Sequence, residues 1–380
     1  MERIRICHLI TTLGVGGAER GVYELSRRLD RERFDVRVAA LRGGPVEGWL
    51  RGAGIPVHVA GVRDKWDALK LPALAGLLRR ERIDILHTHL FHADLAGRPA
   101  AAGAGVRHVL HTVWTAEGRF RPWQFAYARL LKGTCERIVC VSESVRRHHA
   151  RRSGLPGTCY TVIPWGVDTD IFARSVESRR RLRREWQLHD EDVLAAFVGR
   201  LEFYKGVETM LAAMDRLASA GGSGVRLVVA GDGPQRPAVE RYVAQRKAGE
   251  RVRYLGHVED VPALLSAADL YVMPSLWEGW PLALGEAMSA SLPTVGSDVP
   301  GIRDLVVRDA TGLLVPARDA AALAEAIGAL AGGAALRARM GEAARKRIVE
   351  CFSIDATVRA HEKLYAEIAA LAGEDRGPGV

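Results

Sequence analysis

The sequence predicts an α/β fold built as two doubly wound domains, each a parallel sheet covered by helices on both faces. Three observations predict it. Short β-branched or apolar runs alternate with longer helical patterns along the whole chain, which is the rhythm of βα units. That rhythm is interrupted between Ala173 and about Asp192 by SVESRRRLRREWQLHDED, a charged helical stretch without a strand, and then restarts. The length of 380 residues is long for one α/β domain and comfortable for two, each able to bury its own core.

In chain order, RIRICHLI, FDVRVAAL, IPVHVA, IDILHTH, RHVLHTV, RIVCVS and YTVIP read as the strands of the first half. VLAAFVGR, VRLVVAGDG, RVRYLGH, DLYVMPS, LPTVGSD and GLLVP read as those of the second. After Pro316, RDAAALAEAIGALAGG has apolar positions at helical spacing and ends in glycines, and a last helix runs from about Ile354 to Leu371. The expected organisation is an N-terminal domain at 1–172, a C-terminal domain at 173–355, and a helix and tail at 356–380, with a cleft between the domains.

Composition narrows the function classes. No stretch approaches the roughly 18 apolar residues that a membrane span needs, and MERIRICHLITTLG reads as a first strand rather than a signal peptide. A cytoplasmic location is expected. The five cysteines are scattered and never form a Cys-x-x-Cys pair, so they read as reduced residues rather than a metal or redox motif. The net charge of +9 is uneven: residues 1–170 carry 27 Lys and Arg against 17 Asp and Glu. Such a field attracts an anionic lipid surface, a phosphorylated substrate or nucleic acid, or serves solubility alone.

Five motifs carry the chemistry. In TTLGVGGAERGVYELSRRL a strand ends in a turn containing Gly14, Gly16 and Gly17, and a helix begins near Ala18. Bare N–H groups at such a start attract phosphate, although Glu19 stands where the dinucleotide fingerprint needs its third glycine. HTHLFHAD gathers His87, His89, His92 and Asp94. A metal site is one reading, but the His-x-His-x-Asp-His pattern of metallo-β-lactamase-like enzymes needs an aspartate where Phe91 stands, which favours a cleft-lining or structural strand end.

His111, in VLHTVW, sits at the end of a predicted strand, the edge where open α/β sheets present ligand-binding groups. The segment RFRPWQFAYARLLK after it interleaves Arg119, Arg121, Arg129 and Lys132 with Phe120, Trp123, Phe125 and Tyr127. It reads either as an interfacial amphipathic helix or as a helix packing its aromatics on the domain. In FVGRLEFYKGVETM, Arg200 closes a strand and Lys205 precedes a helix, two cations spaced to clamp a diphosphate. In PSLWEGWPLALGEAM, Glu278 lies in a loop, Pro281 suits a helix start and Glu286 falls on that helix. Two carboxylates so placed can accept hydrogen bonds from different hydroxyls of one polyhydroxylated ligand.

Together, GGAER, HTH, VSESV, IPWGVD, VGRLEFYKG, VAGDGP, YLGHV, WEGWPLALGEAM and GLLVP resemble the retaining glycosyltransferases of family 4, over nearly the whole chain. The resemblance implies the GT-B fold, two Rossmann-like domains facing across a donor-binding cleft. It also implies a hexosyltransferase-type activity on a nucleotide-sugar donor, UDP-sugars favoured over GDP-sugars. By the same resemblance Arg200 and Lys205 hold the diphosphate, with Gly16 and Gly17 closing over it. Glu286 binds the ribose hydroxyls, and the backbone of Leu255, Gly256 and His257 reads the base. Glu278, with the N–H groups of Gly279, Trp280 and Leu282 around Pro281, holds the transferred sugar, and His111 contacts it near the reacting carbon.

No metal and no further cofactor is implied, and transfer is expected on the front face with retention of configuration. The acceptor suggested by the basic, aromatic segment 119–132 is a lipid-linked glycan in cell-surface polysaccharide assembly, reached by peripheral contact with an anionic membrane. Two other readings are an isomerase of the same fold, the non-hydrolysing UDP-N-acetylglucosamine 2-epimerase type, and a basic nucleic-acid-binding protein. The paired glutamates around Gly-Trp-Pro look like the transferase rather than the first, and no base-stacking motif supports the second.

Overall fold

A computed structural model describes residues 3–62, 71–115, 121–189, 191–220, 224–245 and 251–374. The chain forms two compact units, one running to Trp165 and taking the chain back from Asp355, the other spanning Gly166–Ile354.

The first unit is a seven-stranded parallel sheet: β1 (Ile4–Thr12), β2 (Phe34–Arg42), β3 (Val57–Val59), β4 (Ile85–His89), β5 (His108–Val113), β6 (Arg137–Cys140) and β7 (Tyr160–Val162), in the order β3-β2-β1-β4-β5-β6-β7. Helices α1 (Gly17–Arg28), α2 (Val46–Gly52), α3 (Leu71–Arg80), α4 (Phe91–Ala104), α5 (Pro122–Leu130) and α6 (Glu143–Ser153) connect the strands. Alternate residues of β1 face opposite layers. Cys7 and Leu9 pack with Leu74, Leu78, Ala93 and Ala100 of α3 and α4, while Ile10 packs with Val22, Val46 and Leu50 of α1 and α2. Burial on both faces is why these strands read as nearly continuous apolar runs.

The second unit is a six-stranded parallel sheet of β8 (Val193–Val198), β9 (Val225–Ala230), β10 (Val252–Gly256), β11 (Leu270–Met273), β12 (Thr294–Ser297) and β13 (Gly312–Val315), ordered β10-β9-β8-β11-β12-β13. Its helices are α7 (Val176–Glu185), α8 (Val207–Ser219), α9 (Arg236–Gln245), α10 (Val261–Ala267), α11 (Leu282–Ser289), α12 (Pro300–Leu305), α13 (Ala320–Gly332) and α14 (Ala334–Cys351). Met210, Met214, Leu323 and Ile327 close one core over Phe197, Leu227 and Val229. The Asp319 carboxylate accepts from the N–H groups of Ala321 and Ala322 and starts α13, and Ser175 starts α7 in the same way. The charged α7 is held by Arg179 and Arg183, whose guanidinium groups lie 2.6 and 3.0 Å from the Asp269 carboxylate just before β11.

The last helix, α15 (Ile354–Glu374), belongs to the first unit. Tyr365 is fully buried there, and its hydroxyl lies 2.7 Å from His87 Nδ1 on β4. The boundaries therefore differ from the expected 1–172, 173–355 and 356–380. Trp165 packs on Trp114 of the first unit with ring centroids 4.8 Å apart, whereas the Val167 N–H donates to Phe352 and its carbonyl accepts from Ile354 in the second. The change of partner between these two residues sets the junction seven residues before the expected one, and burial of α15 makes the terminal helix a structural layer rather than an appendage. Among the described residues no single helix is long and apolar enough to cross a membrane.

Candidate active site

Both sheets reverse strand order beside their first strand, between β1 and β4 in the first unit and between β8 and β11 in the second. Ligands of open α/β sheets bind outside the carboxyl ends of the strands at such a reversal. In the second unit Arg200 and Lys205 follow β8, and Glu278 and Glu286 follow β11, so the two most informative motifs flank one reversal.

These residues are held by tight local geometry. Gly206 takes φ +71° at the start of α8, and a Cβ there would overlap the Pro274 carbonyl, so the chain can turn from Lys205 into the helix only with glycine. Lys205 is thereby aimed at the second motif, and its Nζ donates to Glu278 Oε1 at 2.7 Å. Both side chains are largely buried, with 14% and 9% of their surface exposed. One of three ammonium donors is used by Glu278. Arg200 by contrast keeps 61% of its side chain exposed, 3.9 Å from Glu202. An exposed guanidinium and a buried ammonium are complementary means of meeting an anion.

Glu286 lies on α11 with 2% of its surface exposed, and Pro281 begins that helix without a capping side chain. Tyr271, fully buried on β11, donates its hydroxyl to the Val198 carbonyl at 2.9 Å. Burial pushes the Tyr271 hydroxyl far above its ordinary pKa, and the charges of Glu286 and Glu278 push it the same way. Tyr204 stacks on Trp277 at 5.1 Å and 17°, bracing the Lys205 turn against the Glu278 loop. Trp280 packs on Phe352 with ring centroids 4.8 Å apart. The sequence reading missed Tyr204, Trp277 and Tyr271, although the aromatic neighbours in LEFYKG and SLWEGW were a visible signal.

Leu255 and Gly256 end β10, the outer strand on that side of the sheet, two strands from β8, and His257 follows it. Gly231, after β9, donates its N–H to the Gly256 carbonyl, and a Cβ on Gly231 would overlap the Gly199 carbonyl. The three strand ends are thus drawn together through backbone alone. His257 is exposed, and Leu255 and Gly256 are half-buried.

In the first unit Gly16 and Gly17 follow β1, with Gly16 as the extended residue before α1 and no side chain capping that helix. The space beside Gly17 is open, while a Cβ on Gly16 would meet the Glu19 carboxylate. His111 lies inside β5 rather than at its end, because the strand continues to Val113. It is buried, with Nδ1 3.0 Å from Thr88 Oγ1 and 3.4 Å from the Asp94 carboxylate. Burial lowers the His111 pKa below its ordinary value, and Arg98 adds to this while Asp94 opposes it, so the ring is neutral.

HTHLFHAD is not brought together as one cluster. His92 is exposed on α4, Asp94 joins Thr88 and Arg98 on one face of the sheet, and His87 and His89 meet His8 on the other. Ligand atoms of His8, His87 and His89 lie within 4.8 Å of one another, and burial lowers the pKa of all three. The hydrogen bonds oppose a metal there. Trp114 Nε1–H donates to His89 Nδ1 at 3.3 Å, so the His89 proton sits on Nε2 and points at His8 Nδ1, 3.0 Å away. Both His87 nitrogens are engaged, by Tyr365 and Thr112 at 2.7 Å each.

In the basic segment, Phe125 and Ala128 of α5 are buried, while Trp123 and Leu130 are 50% and 81% exposed beside exposed Arg121, Arg129 and Lys132. Arg119 and Phe120 lie outside the described residues.

Comparison with known proteins agrees with this architecture. Residues 15–171 match the family described as Glycosyltransferase Family 4, and residues 178–347 match Glycosyl transferases group 1. The chain is 31% identical over 366 residues to the D-inositol 3-phosphate glycosyltransferase of Xylanimonas cellulosilytica, covering 87% of each protein. It is 26% identical over 379 residues to the Escherichia coli UDP-Gal:alpha-D-GlcNAc-diphosphoundecaprenol alpha-1,3-galactosyltransferase, covering 97% of this chain and 98% of that one. Among solved structures, Anabaena HepE in complex with UDP superimposes with a TM-score of 0.86 at 19% identity, over 96% of this chain and all of that one. Sucrose-phosphate synthase from Thermosynechococcus elongatus gives 0.83 at 22% identity, over 97% of this chain and all of that one. The fold is GT-B, and the chain belongs to the group 1 glycosyltransferases of family 4.

Proposed function

We propose that this glycosyltransferase moves a hexose from a UDP-sugar to a lipid-linked glycan, with retention of configuration and without a metal. The observation that carries the reading is the Lys205–Glu278 pair at the strand-order reversal of the second unit, with Arg200 beside it and Glu286 on the following helix. As the glycosidic bond breaks, negative charge grows on the departing phosphate and positive character on the sugar. Arg200 and Lys205 stabilise the first, and donors fixed in place before the reaction favour the transition state over the ground state. These cations and the N–H groups at the start of α11 supply charge that other enzymes draw from a divalent ion.

Glu286 is assigned to the ribose hydroxyls, Glu278 with the backbone from Gly279 to Leu282 to the transferred sugar, and Leu255–His257 to the base. His111 is assigned to the sugar near its reacting carbon, and Gly16 and Gly17 to the phosphates. The departing phosphate helps take the acceptor proton, which accounts for retention without a carboxylate nucleophile. The E. coli relative named above, which uses UDP-Gal and a diphosphoundecaprenol-linked GlcNAc, supports the donor and acceptor classes. A cytoplasmic location with peripheral membrane contact through α5 fits that acceptor.

The deciding experiment is a thermal-shift titration with UDP, GDP, ADP and NAD on the wild type and on Glu286→Ala, repeated with EDTA. Ligand at about 100 times its dissociation constant adds roughly 2.7 kcal/mol to stability. Stabilisation by UDP that survives EDTA and weakens in the variant is expected; a response to NAD alone sinks the reading.

A further inference from the structure

We infer that Thr88 and Asp94 are positioning residues that fix His111 in a single neutral tautomer, with its proton on Nδ1 and a bare lone pair on Nε2. Thr88 and His111 are register partners on β4 and β5, so their side chains leave the sheet on the same face. Asp94, on the first turn of α4, lies above both.

The proton count leaves one arrangement. The Thr88 hydroxyl has a single proton, and two oxygens stand ready to accept it: Asp94 Oδ1 at 2.8 Å and the Leu110 carbonyl at 3.2 Å. Whichever takes it, Thr88 Oγ1 faces His111 Nδ1 at 3.0 Å with lone pairs only and that nitrogen donates; giving the proton to Nδ1 instead would leave Oγ1 and the Asp94 anion lone pair to lone pair at 2.8 Å. The Asp94 carboxylate, 3.4 Å from Nδ1, selects the same tautomer, because an unprotonated Nδ1 would face an anion. Asp94 stays ionised despite being 2% exposed. Burial favours its neutral form, but the Arg98 guanidinium, by its charge and its hydrogen bond, and the Thr88 hydroxyl hold its pKa below the ordinary carboxylate value. Arg98 Nε donates to Asp94 at 2.9 Å and Arg98 Nη1 donates to the Leu131 carbonyl, so the carboxylate cannot swing away.

The consequence concerns specificity. A histidine locked in this form accepts a hydrogen bond at Nε2 and offers none. Resting on the proposed contact between His111 and the sugar, the ligand group at that position is a hydroxyl that donates its proton, and an O-methyl or keto group there is rejected. A site built to pair with a hydroxyl discriminates strongly, because loss of the partner leaves a buried polar group unsatisfied.

The test reads the tautomer directly. In protein labelled with 15N-histidine, with His111 identified by the signal lost in His111→Gln, a long-range 15N–1H spectrum should show a protonated Nδ1 and a bare, pyridine-like Nε2 without any substrate. An Nε2–H or doubly protonated ring overturns the inference, and this arm needs no altered protein beyond the assignment variant. Thr88→Val removes the relay hydroxyl at nearly constant volume. With only the longer Asp94 contact left at Nδ1, it should admit a minor Nε2–H population absent from the wild type and give a kcat about tenfold lower with little change in donor KM, and Thr88→Ser should restore both. A tautomer unchanged in Thr88→Val overturns the positioning role of Thr88, and a kcat that falls equally in Thr88→Ser reduces Thr88 to packing. Failure of UDP to bind would instead undo the donor assignment while leaving the tautomer measurement standing.

Discussion

At the same topological point the two units use opposite chemistry. The reversal between β8 and β11 is lined by formal charge, with Arg200 exposed and Lys205 paired to Glu278. Around the reversal between β1 and β4 the polar side chains are neutral imidazoles, His8, His87, His89 and, one strand over, His111, all with pKa values lowered first of all by burial. The buried Asp94 carboxylate is matched by Arg98. A charged, partly solvated edge suits the phosphates of a donor, whereas a neutral, desolvated one suits hydroxyl groups, which are read by hydrogen bonds and not by field. On the proposed assignment of phosphates to one reversal and hydroxyls to the other, the contrast teaches that solvation sorts the two kinds of ligand group.

The largest expected effect tests the charged side. Lys205→Ala should lower kcat/KM for sugar transfer by about a hundredfold or more, the scale seen when one fixed donor to a developing anion is removed. It also leaves the Glu278 carboxylate buried without its partner, which costs stability. The double variant Lys205→Met with Glu278→Gln should recover thermal stability but not turnover. Recovery of both would make the pair structural and erase the contrast.

The neutral side predicts a pH dependence of known sign. His8, His87, His89 and His361 of α15, whose ring lies 5.9 Å from that of His87, titrate below the unfolded value of about 6.5, at about 3 for His8 and about 4 for His361. Below pH 6.5 the unfolded chain binds protons that the native state refuses. Stability present above 6.5 is therefore lost as pH falls toward the folded values, by roughly a tenfold change in the folding constant per pH unit for each such histidine. Urea midpoints at pH 7 and 5.5 measure this, and a midpoint independent of pH over that window would show that the cluster is solvated.

The same contrast explains what could be read from the sequence. All thirteen strands of the described residues were legible, because a strand buried on both faces writes itself as a local apolar run, and the Glu278–Glu286 loop was legible because its parts lie within nine residues. The histidine layer was not. His8 meets His89 only through the pairing of β1 with β4, and Tyr365 reaches His87 across 278 residues of sequence. For the same reason HTHLFHAD read as one cluster, although strand alternation sends Thr88 and its two flanking histidines to opposite faces. Helix α14 also escaped, since its basic, alanine-rich sequence lacks a clear apolar stripe and it buries only a few side chains, such as Met340, Ala344 and Ile348.

The smallest expected effect concerns α5, where the described part of segment 119–132 packs one helix face on the domain and leaves the other exposed. Phe125 and Ala128 pack on the domain, while Pro122, Trp123, Ala126, Arg129 and Leu130 share the outer face at helical spacing. An exposed tryptophan and leucine beside Arg121, Arg129 and Lys132 fit a lipid headgroup layer, with apolar groups entering it and cations meeting phosphate. Each basic residue near an anionic surface contributes about 1 kcal/mol, reduced by salt. Arg121→Glu with Arg129→Glu should therefore weaken association with phosphatidylglycerol vesicles by about tenfold or more, with no change for neutral phosphatidylcholine. UDP binding, assigned to the charged reversal of the second unit, should be untouched, so the variant separates attachment from chemistry. Equal binding of wild type and variant to anionic vesicles would leave α5 as a packing helix and the acceptor to be delivered by other means.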